Sequence, residues 1–578
     1  MSKKNKYNDW TKEELINRIE AIEKRKKYGL IWEEEKTKEK FEADAEGKLP
    51  VLVEDRKREI TTDADKLVNI LIEGDNYHAL SVLNYTHPKS IDVIYIDPPY
   101  NTGAKDWKYN NDYVDTEDPY RHSKWLSFVH NRLSIAKNLL KDDGIICVTI
   151  DDNEMPRLWC LLDEVFGENN HLGTVAIRNN PKGRKTERKV SLIHEYAIFY
   201  GKSVKAKVKK LEIAPEDKTH NYKQDTDGSW YLPVNLRKQG VDSLAVSAKG
   251  KTSDRYFPIY YDPDSKQISS KIKLKIKILP IDVNVQKRIW RRGKDAIDEM
   301  YQRGDLWCQE TRNGLQVYFK FRGGLDGEPP ESIWYDSKYS ASEYGTQILD
   351  NILGKREAFQ YPKSPYAVME CIKVATTNKN AIILDYFAGS GTTGHAVMIL
   401  NKEDGGQRQF ILCTNNENNI CTDVCYPRVQ KVIEGYKNSK AEKINGLGGN
   451  LKYFKTAFVG SEPTHRNKKL LTDKSVEMLC IKENTFEEVL NKPVPAGFKQ
   501  GKAFHIFKNK EKYLAILFDE MQIDAFKKEI SKLKMPVSVY AFSLEGDDFR
   551  EEFEDLKNKI TLCSIPEAIL KVYRRIFR

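Results

Sequence analysis

Short apolar runs alternate with helical patterns in two separated parts of the 578-residue chain, and this alternation constrains the fold more than any other feature. The apolar runs end at acids, asparagines or glycines, as buried strands do at the edge of a sheet. Strands that alternate with helices are typical of an α/β sheet whose strands run mostly parallel. In the first part we expect strands at 66–76, 91–96, 144–151 and 194–200, and helices at 77–85, 125–144 and 156–167.

The second part repeats this pattern after an interruption. A helical stretch at 363–376 precedes strand-like runs that end at Asp385 and within 408–416, and another helix begins at Pro427. The intervening residues are rich in Lys, Tyr, Asp and Gly and predict a mixed α+β insertion. The predicted domains are a helical arm at 1–55, a first half of the α/β sheet at 56–200, the insertion at 201–350, a second half at 351–458, and a small C-terminal α/β domain at 459–578.

The run VIYIDPPYNTG (93–103) ends a predicted strand with an acid, two prolines and a tyrosine. Two consecutive prolines remove two backbone donors and fix two φ angles, which makes a rigid turn. The segment Asp97–Tyr100 is therefore either only a turn, or a turn that holds an acid and an aromatic ring in one fixed pose.

A second strand end, AIILDYFAGSGTT (381–393), leads through two glycines into a helix. Glycines let a ligand approach the backbone, and the helix N-terminus presents free amides. The third glycine of the dinucleotide fingerprint is missing, and no Walker A loop occurs in the chain. After the next predicted strand comes Glu417, placed where acids bind ribose hydroxyls in doubly wound folds. Together these features predict an adenosine-containing ligand; the alternative for the glycines alone is a plain tight turn.

Positive charge is concentrated in one segment. Residues 178–300 contain 28 Lys and Arg but 15 Asp and Glu, whereas the whole chain has a net charge of +10. A solvated charged face is the simpler interpretation, and a surface that binds nucleic acid is the functional one. The concentration favours nucleic acid. Aromatic residues among the basic runs either stack on bases or fill a small core, and we expect most of them in the core: Trp230, Tyr231, Tyr256, Trp290 and Trp307.

Composition excludes several other classes of protein. No stretch approaches the roughly 20 apolar residues of a membrane span, and the basic N-terminus has no apolar signal region after it. The nine cysteines include no CxxC pair, and Cys421 and Cys425 lack a second pair at zinc-like spacing, so they predict reduced thiols. We expect a cytoplasmic protein without a metal site.

The two strand-end motifs together resemble the S-adenosylmethionine-dependent amino-methyltransferases of DNA, in the β-class order with the catalytic motif first. The likeness is greatest to the Mod subunits of type III restriction–modification systems, through EGDNYHAL, DPPYNTG, LKDDGIICVTIDDNE, HEYAIFY, LDYFAGSGTTGHAV and TNNENN. It covers roughly 60–200 and 355–455. It implies a Rossmann-like, doubly wound methyltransferase sheet split by an inserted target-recognition domain.

The resemblance also implies an activity, partners and a set of site residues. The activity is adenine-N6 methylation of double-stranded DNA with base flipping, S-adenosylmethionine being the cofactor. The expected partners are a second copy of the chain and a separate restriction subunit. The implied catalytic residues are Asp97, Pro98, Pro99 and Tyr100. The implied cofactor-binding residues are Asp75, Lys363, Asp385, Phe387, Ala388, Gly389, Ser390, Gly391, Thr392 and Glu417.

Several alternatives stay open at this point. Asp75 could cap the helix that follows it, contact the cofactor, or do both. His194 and Glu195 could form a metal-binding or acid–base pair, but they open a strand and we expect a structural or base-contacting role. Cytosine-N4 methylation, RNA methylation, a solitary methyltransferase and a non-catalytic DNA-specificity subunit are the rival functions. Asp rather than Ser at position 97 favours adenine.

Overall fold

The computed structural model describes residues 11–13, 15–16, 30, 32, 47–63, 66–109, 112–183, 190–211, 222–246, 251–322, 329–462, 464–493, 502–543, 549–565 and 567–576. These residues divide into two compact units, Met1–Lys209 with Glu331–Arg578, and Lys210–Pro330. The separate unit is narrower than the insertion expected at 201–350. No helix in the described ranges is long and apolar enough to cross a membrane.

The larger unit is built on one eleven-stranded sheet. Its strands in chain order are β1 Lys48–Glu54, β2 Ile60–Thr61, β3 Val68–Glu73, β4 Ile91–Ile96, β5 Leu140–Ile150, β6 His171–Ile177, β7 Glu195–Gly201, β8 Ile333–Trp334, β9 Ile382–Asp385, β10 Gln409–Thr414 and β11 Asn450–Gly460. Their order across the sheet is β1-β11-β3-β10-β9-β4-β5-β7-β6-β8, with β2 also paired to β11. The predicted α/β class is confirmed by this arrangement.

Six adjacent strands, from β11 to β5, run parallel. Their central residues form nearly continuous apolar runs because helices cover both faces of a parallel sheet. Beyond β5 the direction changes, since β7 runs antiparallel to it. The first residue of β7, Glu195, therefore lies at the edge where the parallel strands end.

In the described ranges, ten α-helices of this unit with defined bounds connect or flank the strands. They are α1 Asn76–Thr86, α2 Arg121–Ala136, α3 Met155–Phe166, α4 Gln347–Leu353, α5 Pro365–Ala375, α6 Thr392–Asp404, α7 Tyr426–Glu434, α8 His465–Glu483, α9 Ile523–Ser531 and α10 Glu567–Ile576. The helix expected at 125–144 ends earlier, because Asn138 and Leu139 close a tight turn on the last helical carbonyls. Residues from Leu140 onward are already in β5.

The predicted end of the N-terminal arm at residue 55 is wrong, because the last residues of that range form β1 of the main sheet. Most of the arm expected at 1–55 lies outside the described residues, but β1 pairs along its whole length with β11. The sequence pattern did not reveal this pairing because the partners lie about 400 residues apart. Likewise, Ile333 and Trp334 pair with Ala176 and Ile177, so the residues from 331 onward return to the main sheet.

The C-terminal residues form the small α/β sheet that the sequence predicts. Its strands, in spatial order, are Glu487–Pro493, Lys502–Lys508, Tyr513–Leu517, Val537–Phe542 and Ile560–Ile565. This sheet shares one apolar core with the main sheet through α1, α8 and α10. The Tyr573 hydroxyl also donates a hydrogen bond to the Pro50 carbonyl of β1. The C-terminal sheet is thus packed onto the main unit and is not an independent appendage.

Glu483, at the end of α8, anchors the C-terminal sheet. Its carboxylate accepts hydrogen bonds from Lys512 at 2.6 Å, Ser538 at 2.8 Å and Tyr540 at 2.6 Å. Burial alone raises the pKa of Glu483, but these donors outweigh it and hold the pKa below its usual 4.5. The stabilisation is therefore complete above about pH 4.5 and is lost as the pH falls through the lowered pKa.

We expect Glu483→Gln to lower the free energy of unfolding by about 2 kcal/mol at pH 7. The difference from the wild-type protein shrinks at an acidic pH below the lowered pKa of Glu483, where the wild-type carboxylate is protonated too. Urea denaturation at both pH values measures it. Glu403→Gln is the control, because Glu403 forms an ion pair that is about half exposed, and it should cost less than about 0.5 kcal/mol. A difference that is the same at both pH values would contradict the assignment.

The inserted unit has a small core of its own. A four-stranded sheet (Lys223–Gln224, Trp230–Asn235, Gly314–Phe321, Leu306–Thr311), a three-stranded sheet (Ile268–Ser269, Ile259–Tyr261, Ile276–Ile278) and the helix Lys294–Gln302 surround it. Of the five aromatic residues expected mostly in this core, only Trp290 is buried. The other four, Trp230, Tyr231, Tyr256 and Trp307, are half-buried.

Candidate active site

The two motifs meet at one edge of the sheet. β4 and β9 are adjacent and parallel, so Asp97–Tyr100 and Phe387–Gly391 leave the sheet side by side. From β4 the chain proceeds through α2 to β5, whereas from β9 it proceeds through α6 to β10 on the opposite side. This reversal opens a crevice between the two strand ends, the usual binding place in doubly wound sheets.

Three side chains from outside the Asp97–Tyr100 turn hold its Asp97 and Pro99. The Thr149 hydroxyl donates to Asp97 Oδ1 at 2.7 Å, and Lys363 Nζ lies 3.3 Å from the same oxygen. The Trp125 indole N–H donates to the Pro99 carbonyl at 2.6 Å. No described residue donates to the Pro98 carbonyl. The turn therefore presents one carboxylate and one carbonyl in fixed positions, both as hydrogen-bond acceptors.

Tyr100 is tied into a polar network with Glu195 and Lys363. Its hydroxyl donates to Glu195 Oε2 at 3.0 Å, and the Lys363 ammonium lies 4.7 Å from the centre of its ring. Burial and the negative charges of Asp97 and Glu195 raise the pKa of Tyr100 well above its usual value. The phenol therefore stays neutral and can serve as a hydrogen-bond donor.

Lys363 contacts the Asp97–Tyr100 turn instead of the glycine turn. Its ammonium donates to the Tyr100 hydroxyl and to the Glu195 carboxylate, which also accepts from Asn179 Nδ2 at 2.7 Å. Burial lowers the pKa of Lys363, but the carboxylates of Asp97 and Glu195 outweigh it and raise the pKa above its usual value. Lys363 is therefore a cation placed between two carboxylates.

The Phe387–Gly391 turn depends on its two glycines. Gly389 and Gly391 have φ angles of +49° and +76°, a region that side chains disfavour. A Cβ on Gly391 would lie 3.1 Å from Cys425 Sγ. No described residue accepts a hydrogen bond from the N–H of Gly389 or Ser390. The turn thus offers backbone donors at the crevice, next to the half-buried ring of Phe387.

The hydroxyls of Ser390 and Thr392 are engaged on the other side of the turn. Both accept hydrogen bonds from the buried Arg428 guanidinium, at 3.0 and 2.7 Å. The resemblance placed these two residues in the cofactor site. In the structure their hydroxyls bind Arg428 and stabilise the turn, and only the backbone of these two residues follows the motif along the crevice.

Asp385 lies buried under the turn that it precedes. It accepts hydrogen bonds from the Phe387 N–H at 2.9 Å and from the Thr393 hydroxyl. Burial raises the pKa of Asp385 to about 7, against the lowering effect of these two donors. The N–H of Ala388 donates to the Cys413 carbonyl of β10 at 3.1 Å. The turn is thereby attached to both strands that flank it.

Asp75 follows β3 and caps α1. Its Oδ1 accepts from the Tyr77 N–H at 2.8 Å, so the capping alternative is confirmed. Its other oxygen lies 3.3 Å from the buried Arg132 guanidinium, whose carbon lies 3.7 Å from the centre of the Phe128 ring. The Asp75 side chain nevertheless keeps 38% of its surface exposed. It therefore remains available to a ligand in the crevice.

Glu417 opens a short helical turn, Glu417–Asn419, just beyond β10. Because β10 lies between β3 and β9, Glu417 follows the strand end between those of Asp75 and Asp385. Asn418 and Asn419 have positive φ angles of 52° and 59°, as asparagine tolerates. Four of the predicted regions, at the ends of β3, β10, β9 and β4, are therefore neighbours along one edge.

Sequence reasoning missed residues that hold the motifs without belonging to them. Only Glu195 carried a signal, as an acid that opens a strand. The others are a threonine within β5, an asparagine beyond β6, and arginines and a tryptophan on helices, none of which stands out in the sequence. These residues are Thr149, Asn179, Trp125, Arg132 and Arg428.

Comparison with known proteins identifies a family whose matched residues include both motifs of this site. The DNA methylase family of N6 and N4 methyltransferases matches residues 91–424. The type II methyltransferase M.KpnI of Klebsiella pneumoniae is 32% identical over 388 residues, covering 67% of this chain and 90% of that protein. The type III restriction-modification enzyme EcoPI Mod subunit of Escherichia phage P1 is 31% identical over 401 residues, covering 64% of this chain.

The chain spans about 60% of the length of that Mod subunit. Among solved structures, PvuII DNA methyltransferase (cytosine-N4-specific) aligns with a TM-score of 0.32 at 12% identity, covering 64% of this chain and 89% of that one. The family match includes both strand-end motifs and the crevice between them. The chain therefore belongs to the DNA methylase family.

Proposed function

We propose that this protein is a site-specific DNA methyltransferase that transfers a methyl group from S-adenosylmethionine to adenine N6 in duplex DNA. The observation that carries the proposal is the meeting of Asp97–Tyr100 with Phe387–Gly391 at adjacent strand ends. One motif presents acceptors for an exocyclic amine, and the other presents backbone donors beside a glycine turn.

The crevice fits S-adenosylmethionine by its chemistry. Backbone N–H groups at Gly389 and Ser390, the exposed part of the Asp75 carboxylate and the half-buried Phe387 ring suit an adenosine group with hydroxyls and no phosphate. Glu417, at the next strand end, is the expected partner of the ribose hydroxyls. Bound there, the cofactor would supply an electrophilic methyl group on a sulfonium centre.

The chain's own residues prepare the amine. Asp97 and the Pro98 carbonyl each accept a hydrogen bond from the amino group, which draws its lone pair out of conjugation with the ring. Because Pro98 and Pro99 fix the backbone, these acceptors are preorganised. The Tyr100 ring packs against the flipped base. In the transfer, the nitrogen lone pair forms the new N–C bond, the S–C electron pair stays on sulfur, and Asp97 or water takes the released proton.

The inserted unit is the proposed reader of the DNA sequence. On one face of its four-stranded sheet, Trp307 stacks on Tyr318 at 5.8 Å and Tyr231 meets Trp307 at 6.0 Å. Asn235 and Gln316 lie on that face and share a hydrogen bond of 3.3 Å. Amide side chains are suited to adenine edges in the major groove, and the concentrated Lys and Arg residues suit the phosphates.

Incubation with labelled S-adenosylmethionine and DNA tests the proposal. We expect label in N6-methyladenine, at one short sequence when genomic DNA from expressing cells is mapped. Label in N4-methylcytosine would establish the cytosine alternative. Site-specific DNA binding without any incorporation would reject the enzyme in favour of a non-catalytic specificity subunit.

We further propose that the protein works in the cytoplasm as a homodimer and as the modification subunit of a type III-like restriction–modification system. The likeness to Mod subunits supports this assignment. Co-purification with a helicase–nuclease chain would support it. A dimer that methylates DNA without any such partner would favour the solitary methyltransferase.

A further inference from the structure

We propose that Glu195 and Lys363 form a buried ion pair that positions Asp97 and Tyr100, and that Lys363 acts on the catalytic motif and not on the cofactor. This inference rests on the proposed function. It reassigns Lys363, which the family resemblance placed in the cofactor site.

The pair is enclosed by protein. The side chains of Lys363 and Glu195 expose 12% and 3% of their surface, and the ammonium bonds directly to the carboxylate. Burying two charges is costly unless their remaining hydrogen-bonding capacity is used. Glu195 also accepts hydrogen bonds from Asn179 and Tyr100, and the Lys363 ammonium also contacts Tyr100 and Asp97. The pair is therefore fully built into the structure around the DPPY turn.

The backbone on both sides of the pair is fixed. Glu195 begins β7, whose antiparallel direction places this residue at the carboxyl edge of the neighbouring strands. Lys363 directly precedes Ser364, which caps α5 and donates to the Lys338 carbonyl at 2.6 Å. A Cβ on Gly345 would lie 2.0 Å from the Pro362 carbonyl oxygen. The missing side chain therefore lets the loop before Lys363 pack closely against Gly345. Neither side chain depends on a ligand for its position.

This arrangement has two consequences for Asp97 and Tyr100. The ammonium 3.3 Å from Asp97 Oδ1 and the Thr149 hydroxyl 2.7 Å from the same oxygen fix the orientation of the carboxylate. Glu195 and Lys363 together hold the Tyr100 hydroxyl, so the ring keeps one orientation.

The test compares Lys363→Met, Glu195→Gln and Lys363→Arg with the wild-type enzyme on DNA. We expect Lys363→Met to lower kcat at saturating cofactor on the order of 100-fold. The Kd for S-adenosylmethionine should change less than about threefold.

Glu195→Gln should lower kcat less than Lys363→Met, and Lys363→Arg should recover part of kcat because it keeps a positively charged donor at this position. Lys373→Met is the matched control, since Lys373 forms only an exposed pair with Glu403. A large rise in the Kd for S-adenosylmethionine with an unchanged kcat would overturn the inference and return Lys363 to the cofactor site. An unchanged kcat in folded Lys363→Met would overturn it too. Failure of the wild-type protein to methylate DNA would reject the proposed function itself.

Discussion

Asp97→Asn is expected to lower kcat for methyl transfer on the order of 1,000-fold while leaving the Kd for S-adenosylmethionine within about threefold. The amide has the same shape as the carboxylate, but one of its two polar atoms is a donor. Thr149 and Lys363 already donate to Oδ1 of Asp97. The amide oxygen will therefore face these donors, and its NH₂ group will be directed at the substrate amine. Because two donors then face each other, the substrate amine loses the hydrogen bond that prepares its nitrogen lone pair.

Single-turnover kinetics on a DNA duplex, with cofactor binding measured by calorimetry, separates the two effects. Asp142→Asn is the control, because Asp142 is about half exposed and forms one weak ion pair with Lys205. It should leave both quantities unchanged. A fully active Asp97→Asn enzyme would contradict the role assigned to the carboxylate, whereas a large loss of cofactor affinity would place Asp97 in the cofactor site.

The strand ends could be predicted from the sequence because their signals are local. Each apolar run is a few residues long, and the residues that end it follow directly, as in Ile96–Asp97 and Leu384–Asp385. In a parallel sheet such ends lie at the same edge, so two local patterns suffice to predict that the motifs meet. The prediction of an α/β sheet and of two facing motifs required no long-range information.

The pairing of distant segments could not be predicted in this way. The strand Lys48–Glu54 follows a stretch of mixed charge and looked like the end of an arm, but it is the partner of Asn450–Gly460. The same limitation applies to Glu195, which meets Lys363 only because β7 runs antiparallel to β5. Strand direction and partner choice depend on burial across the whole unit, and no single segment records them.

The glycine turn contains one feature that could be predicted from the sequence and one that could not. Its glycines predicted a turn whose backbone could approach a ligand. The positive φ angles show that the turn favours glycine, and the approach of a ligand stays a prediction. The hydroxyls of Ser390 and Thr392 also suggested ligand contacts, but Arg428 on a distant helix takes both. The need for a positive φ angle can be read from the glycine itself, whereas the partner of a side chain is known only once the fold is known.

Gly391→Val is expected to be the most destabilising substitution in this turn, at about 4 kcal/mol. A side chain at a φ of +76° costs about 1–2 kcal/mol, and a β-branched one lies at the upper end. The added atoms also meet Cys425 Sγ at 3.1 Å and Val429 at 3.4 Å, which adds about 1–3 kcal/mol of overpacking. Because the turn lies between the two strand ends, its displacement should also weaken S-adenosylmethionine binding at least about tenfold.

Gly405→Val on the same helix is the matched control for this prediction. Gly405 ends α6 as Gly391 begins it, and its φ of +68° carries a similar backbone cost. A Cβ there would meet no atom within 4 Å, and the position lies at the opposite end of the helix from the crevice. We therefore expect Gly405→Val to cost about 2 kcal/mol and to leave cofactor affinity unchanged. Denaturation and calorimetry on the two variants measure the difference. Equal losses of cofactor affinity would show that helix stability, and not the shape of the turn, determines binding.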